Sequence, residues 1–181
     1  AIPRVSKDAL LGGRVVLFQP AQGYRAAIDP LLLAAAVPAK PGDRVLDVGC
    51  GSGAAALALV ARVSDARVVG LDAAAELIAL AMRSAEASNL AGRVRFVTGD
   101  LLDPPAELAP AGFDHVMANP PFVTADHGSP PADAAKRAAT VEGRARLEDW
   151  LRFALSMVRP GGSVTVIHRF DRRDEVIAGL Q

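Results

Sequence analysis

The chain reads as an α/β protein built on a doubly wound, mostly parallel sheet. Three observations predict it. Short β-branched runs alternate with alanine- and leucine-rich stretches of helical length; several of those runs close on an acid or an amide; and Val45-Leu46-Asp47-Val48 leads into Gly49-Cys50-Gly51-Ser52-Gly53, with glycine at every second position. Strand, turn and helix repeated in that order produce parallel pairing. Ligands of such sheets bind beyond the carboxyl ends of the strands, so the residues that close each strand matter most.

Residues 1–40 are expected to form an N-terminal extension with a capping helix, and residues 41–181 the main domain. Gly12-Gly13 leading into Val15-Val16-Leu17-Phe18 predicts a short strand or hairpin outside that domain. Gln19–Arg25 reads as a polar loop. Asp29-Pro30 reads as an N-cap with proline at the first helical position, Leu31–Val37 as the helix body, and Pro38–Asp43 as its stop. Strands follow at 44–48, 67–72, 94–100, 113–119 and 162–168, with helices at 53–63, about 74–89 and 145–157. Asp47, Asp72, Asp100 and Asn119 all fall at strand ends, which brings them to one rim. Residues 123–143, rich in alanine, proline, glycine and charge, are expected to form a mobile loop over a substrate.

Composition narrows the class. At 181 residues the chain fits one domain with a full core. No apolar run approaches the eighteen or so residues of a membrane span, and no signal peptide is expected, so a cytoplasmic protein is the default. Cys50 is the single cysteine, which excludes an internal disulfide and suits a small turn residue. His115, His127 and His168 have no second ligand at metal spacing, so no metal site is expected. Zero net charge hides an asymmetry: residues 41–115 carry six basic and ten acidic groups, which would repel a polyanion. A nucleic acid would have to be held by Arg4, Lys7, Arg14 and Arg25, and by Lys136, Arg137, Arg144 and Arg146.

The glycine turn predicts a nucleotide-like ligand, because glycines allow close backbone approach and the next helix offers unpaired N–H groups. Gly49, Gly51 and Ala54 also satisfy the dinucleotide pattern, and Asp72 lies near the distance of a ribose-binding acid, so NAD stays open on these residues alone. Asp47 before the turn, Asp100 on the third strand and Asn119-Pro120-Pro121-Phe122 on the fourth count against it.

Taken together, Asp47–Gly53, Asp72, Asp100 and Asn119-Pro120-Pro121-Phe122 resemble the class I S-adenosylmethionine (SAM) methyltransferases with an NPPF motif. Within them, Phe18-Gln19-Pro20, Gly23-Tyr24-Arg25, Asp29, Leu31–Ala35, Arg137-Ala138-Ala139, Glu142 and Trp150 are similar to bacterial tRNA adenine-N6 methyltransferases of the valine-tRNA type. The resemblance implies a Rossmann-like fold and SAM as cofactor. It places Gly49, Cys50 and Gly51 along the ribose and methionine part, with Asp47 near the ammonium. Asp72 would take the ribose hydroxyls and Asp100 the adenine amino group, with Leu101 flanking the ring. Asp29 would stand over the methionine end, and Asn119 would border the cofactor as well. Tyr24, Arg25, Lys136 and Arg137 are the weaker expectations, for binding tRNA.

An exocyclic adenine amine is a poor nucleophile because its lone pair is delocalised into the ring. Acceptors at Asn119 and the Pro120 carbonyl would pull density onto the nitrogen and aim its lone pair; Pro120 and Pro121 stiffen the backbone and Phe122 stacks on an unpaired or flipped base. The same motif suits guanine N2 in rRNA and glutamine N5 in protein. An NAD-dependent oxidoreductase or a non-catalytic nucleotide-binding module is the alternative of another class. One departure is that class I enzymes finish with an antiparallel strand pair, which the sequence through Gln181 is not expected to supply.

Overall fold

A computed structural model of the protein describes residues 4–22, 25–26, 28–122 and 144–181. The expected loop 123–143, and with it Lys136 and Arg137, lies outside the described residues, as does Tyr24.

The chain opens with an antiparallel hairpin of β1 (Val5–Leu10) and β2 (Val15–Pro20), followed by α1 (Asp29–Ala36). The main sheet is built from β3 (Arg44–Val48), β4 (Arg67–Asp72), β5 (Val94–Thr98), β6 (Phe113–Ala118) and β7 (Val158–Val166), in the order β5-β4-β3-β6-β7 and parallel throughout. Helix α2 (Ala54–Arg62) links β3 to β4, α3 (Ala75–Ala87) links β4 to β5, α4 (Leu147–Met157) precedes β7, and α5 (Arg173–Gly179) follows it. Winding runs outward from β3 to β5, then returns to the other side of β3 with β6. The strand order therefore reverses between β3 and β6, and the glycine turn after one strand stands beside Asn119 after the other.

Strand alternation sorts the core into two faces. Val45, Val68 and Met117 pack with α1, α2 and β2, whereas Leu46, Val48, Val116 and Ala118 pack with Phe153, Ala154 and Met157 of α4. Helix α2 is buried continuously from Ala54 to Val60. An all-round apolar helix needs cover on every side, and the sheet, α1 and the hairpin supply it. Its C-terminal carbonyls are met by cations: Arg93 donates to the Val60 and Val63 carbonyls at 2.7 and 3.0 Å.

The hairpin forms a sheet of its own, as the sequence suggests, yet it is not detached. Val15 and Leu17 are fully buried in the same core as α2. Its outer backbone groups are met by α3, where Ser88 Oγ accepts the Val16 N–H and Ser84 Oγ accepts the Phe18 N–H, both at 2.9 Å. The Arg83 guanidinium covers the Phe18 ring at 3.9 Å.

Three boundaries differ from expectation. Asp29 does not cap α1: Ile28 holds the N-cap position without a side-chain bond, and Asp29 sits exposed in the first turn with Pro30 behind it. Strand β5 stops at Thr98, so Asp100 lies in the turn beyond it and bridges to Asp103. Strand β7 begins directly at Val158, pairs with Phe113, and resumes after an irregularity at Ser163 opposite His115.

Ser84 is fully buried and also donates to the Leu80 carbonyl at 2.7 Å. Replacing it with alanine leaves the Phe18 N–H buried without an acceptor. Ser84→Ala is expected to lower unfolding free energy by roughly 1–3 kcal/mol, seen as a lower urea midpoint at unchanged slope.

Candidate active site

A cavity of about 620 Å³ opens at the carboxyl ends of the sheet. It is lined by Asp47 to Ser52, Asp72, Asp100, Leu101 and all of Asn119 to Phe122, with Pro20, Gln22, Ala26, Pro30 and Leu33 supplying a further wall. A second groove of about 470 Å³ between α4 and α5 contains none of these strand-tip residues.

The turn is fastened to the neighbouring strand. Gly49 and Cys50 N–H groups both donate to the Leu71 carbonyl, at 2.7 and 3.0 Å, and the Gly51 N–H donates to Asp72 Oδ2 at 2.8 Å. Gly49 has φ +69°, and a side chain there would collide with the Trp150 ring. Gly51 has φ +53° but none of the described residues stands within 4 Å of where its Cβ would be. The first glycine makes room for the protein's own indole; the second leaves bare backbone facing open space.

The carboxylates differ in their surroundings. Asp47 is 2% exposed and accepts one N–H, from Ala56 at 3.2 Å. Burial pushes its pKa to about 7, the Ala56 bond opposing and the Asp72 charge adding to the rise. Asp72 uses both oxygens, Oδ1 for the Ala74 N–H at 2.9 Å and Oδ2 for Gly51. Burial raises its pKa, and those two bonds lower it. Asp100 is more open: Oδ1 accepts the Leu102 N–H at 2.9 Å and Oδ2 accepts from Arg144 at 3.1 Å. Such an exposed pair contributes only ~0–1 kcal/mol. Cys50 is buried, and burial first, with Asp47 and Asp72 behind it, drives its thiol well above the usual range, so it stays protonated.

After β6 the chain is pinned by the Ile167 N–H, which donates to the Ala118 carbonyl at 3.1 Å. Pro120 is buried, and Asn119, Pro121 and Phe122 are half-buried along the cavity. Asp47, Gly49, Cys50, Gly51, Asp72, Asp100, Leu101 and the Asn119–Phe122 segment thus converge. Two expected residues do not join them. Asp29 is exposed and not part of the lining, because it occupies the solvent side of α1's first turn while Pro30 and Leu33 face inward. Arg25 is committed elsewhere, to both oxygens of Asp8 at 2.9 and 3.0 Å.

Several contributors had no site role assigned from the sequence. Gln19 is 3% exposed, accepts the Ala26 N–H at 2.9 Å and donates to Asp8 at 2.9 Å, which ties the cavity-wall loop to the hairpin. Glu76 joins the acidic lining from the start of α3. Trp150 packs on Gly49, and its indole Nε1 is buried without a hydrogen-bond partner among the described residues. In the sequence Trp150 stands only among the residues of the family resemblance, with no role attached to it. His115 bridges Ser163 at 2.8 Å and Asp43 at 3.1 Å at the opposite end of the sheet. Among the described residues no group of three His, Cys, Asp or Glu could hold a metal, and no helix is long and apolar enough to cross a membrane.

Comparison with known proteins agrees with this geometry. A family model described as a methyltransferase domain matches residues 45–143. An rRNA N(6)-adenosine-methyltransferase of Caenorhabditis elegans is 29% identical over 136 residues, 75% of this chain and 56% of that one. A tRNA1(Val) (adenine(37)-N6)-methyltransferase of Porphyromonas gingivalis is 30% identical over 154 residues, 82% of this chain and 60% of that one. A release factor glutamine methyltransferase of Chlorobaculum tepidum is 37% identical over 93 residues, 51% of this chain and 32% of that one. This chain thus spans less than two thirds of each of these relatives. Among solved structures, TrmN from Thermus thermophilus has a TM-score of 0.62 at 27% identity, with 84% of this chain and 40% of that chain covered.

Two outcomes follow from the buried groups. An unfolded chain releases the aspartate proton near pH ~4, whereas folded, ligand-free Asp47 holds it to about 7. The folded state binds the extra proton in that window, so this group's contribution to stability falls as pH rises through it and levels off above. The penalty reaches on the order of 4 kcal/mol, and Asp47→Asn is expected to gain on the wild type in urea midpoint as pH climbs from about 4 to about 8. Parallel curves would contradict it. Trp150→Phe removes the buried donor but also the distal indole ring packed on Gly49, so its melting temperature should fall less than that of Trp150→Ala, which should lose up to about 3–5 kcal/mol.

Proposed function

Since the chain belongs to the methyltransferase domain family, matched over residues 45–143, we propose that it is a SAM-dependent N-methyltransferase of exocyclic amino groups, with adenine N6 in tRNA as substrate. The observation that carries this reading is the adjacency of β3 and β6, which puts the glycine turn and Asn119-Pro120-Pro121-Phe122 on one cavity. The adenine-N6 methyltransferases among its relatives support the substrate, and a tRNA substrate implies a cytoplasmic location. In this reading residues 41–181 are the catalytic domain, and residues 1–40 supply the wall that Pro20, Ala26, Pro30 and Leu33 provide.

The residues fit the cofactor. Asp47, a buried carboxylate with a raised pKa, is a site where a cationic ammonium restores ionisation. Gly51 offers bare backbone over open space. Each Asp72 oxygen accepts one N–H and keeps a lone pair for a ribose hydroxyl. Asp100 and Leu101, on the same cavity wall, would take the adenine amino group and flank its ring. Bound there, SAM supplies a methyl group on a sulfonium.

The chain's own task is to prepare the amine. Asn119 Oδ1 and the Pro120 carbonyl accept its two N–H groups, which localises the lone pair and directs it along the transfer axis. The proline ring limits how far that carbonyl can turn. Phe122 stacks on a base that is unpaired or flipped out. Catalysis is by positioning and electrostatics, with no covalent enzyme intermediate. A glutamine amide presents the same NH2 problem, and the 37% identity to a release factor glutamine methyltransferase keeps that as the second reading.

Tritiated methyl transfer to tRNA, rRNA and protein fractions, with nucleoside mass spectrometry, decides between them. N6-methyladenosine in tRNA is the expected product; methylglutamine with unlabelled RNA would establish the second reading. Asn119→Ala is expected to cut turnover by at least about 100-fold while S-adenosylhomocysteine affinity by calorimetry stays close to wild type. Phe122→Ala should raise KM for the nucleic acid and spare cofactor binding; equal losses in both would remove its stacking role.

A further inference from the structure

The charge around the cavity is lopsided. Its described lining carries four carboxyl groups, Asp47, Asp72, Glu76 and Asp100, and one cation, Arg144. Four acids suit a cationic ligand and oppose a phosphate. A nucleotide entering this cavity needs a positive group on the side from which the substrate comes.

Arg144 has the required placement. Its side chain is 73% exposed, so it stands at the solvent edge of the cavity, on the same lining as Asn119 to Phe122. One N–H is engaged with Asp100 Oδ2 at 3.1 Å. That contact restrains the guanidinium beside the acidic wall, and it is weak enough for a phosphate to share or replace it. A guanidinium also offers a planar fork of donors that matches a phosphate oxygen pair. Of the other described basic candidates, Arg25 is bound to Asp8, and none of Arg4, Lys7, Arg14, Arg25 and Arg146 lines the cavity.

We propose that Arg144 is a specificity-determining residue that receives a backbone phosphate flanking the target base, so that the acid-lined cavity admits a nucleotide in preference to a protein amide. This rests on the nucleic-acid reading above. It adds a point of discrimination between two substrates whose reacting NH2 groups pose the same chemical problem.

The test compares wild type with Arg144→Ala and Arg144→Lys in methyl transfer to tRNA across a salt series, with calorimetry of S-adenosylhomocysteine and thermal unfolding of each variant. Arg144→Ala is expected to lower kcat/KM on tRNA about 10-fold through KM, and to reduce the log–log salt slope by about one, as loss of one phosphate contact requires. Arg144→Lys should restore part of the affinity, since it keeps the charge and loses the fork. S-adenosylhomocysteine binding and melting temperature should stay near wild type. An unchanged KM and salt slope would overturn the assignment while leaving tRNA methylation intact. A matching loss in S-adenosylhomocysteine affinity would also overturn it, by placing Arg144 on the cofactor side through Asp100. Wild-type methylation of a glutamine peptide with none on RNA would remove the nucleic-acid reading itself.

Discussion

One carbonyl holds the rim together. Leu71, the penultimate residue of β4, accepts N–H groups from both Gly49 and Cys50, and the next residue, Asp72, accepts from Gly51. Three consecutive turn donors are thereby spent on the tip of the adjacent strand. Without that fastening, a run of three glycines in five residues would carry a large conformational entropy cost and no fixed shape. With it, the turn keeps one conformation and holds its bare face toward the cavity.

That conformation has a cost at its base. Asp47 precedes the turn on the face covered by α2, and it is buried with a single N–H partner. An uncompensated carboxylate in such a place destabilises the ligand-free fold, and its raised pKa is the same fact in other terms. A strand-tip acid of this kind is poorly explained by packing, and in the function proposed above its compensation is the ammonium of the cofactor. Trp150 belongs to the same balance: its ring fills the space that Gly49 leaves, at the expense of an indole N–H unpaired among the described residues.

The N-terminal hairpin completes the cavity from the other side. Val15 and Leu17 close the core over α2, the serines of α3 satisfy the strand's outer N–H groups, and Gln19 carries that order into the loop through Ala26. The wall residues Pro20 and Ala26 are therefore set by contacts made far from the strand tips. A segment that looks peripheral in chain order is structurally part of the site.

By itself the sequence determined the elements and their order, because β-branched runs, helical stretches and glycine punctuation are local signals: β3 and β4 run over the residues expected, and α2 and α4 fall within a residue or two. It also marked Asp47, Asp72, Asp100 and Asn119 as rim residues, since closing a parallel strand fixes which end of the sheet a residue reaches. Only the tertiary structure decided where side chains on the edges of elements went. Asp29 lies on the solvent side of α1 while Pro30 and Leu33 face the cavity; Arg25 was taken by Asp8 across the hairpin, and Arg144 reached Asp100 from 44 residues away. Those outcomes depend on pairings between distant segments, whose energies have no trace in local pattern.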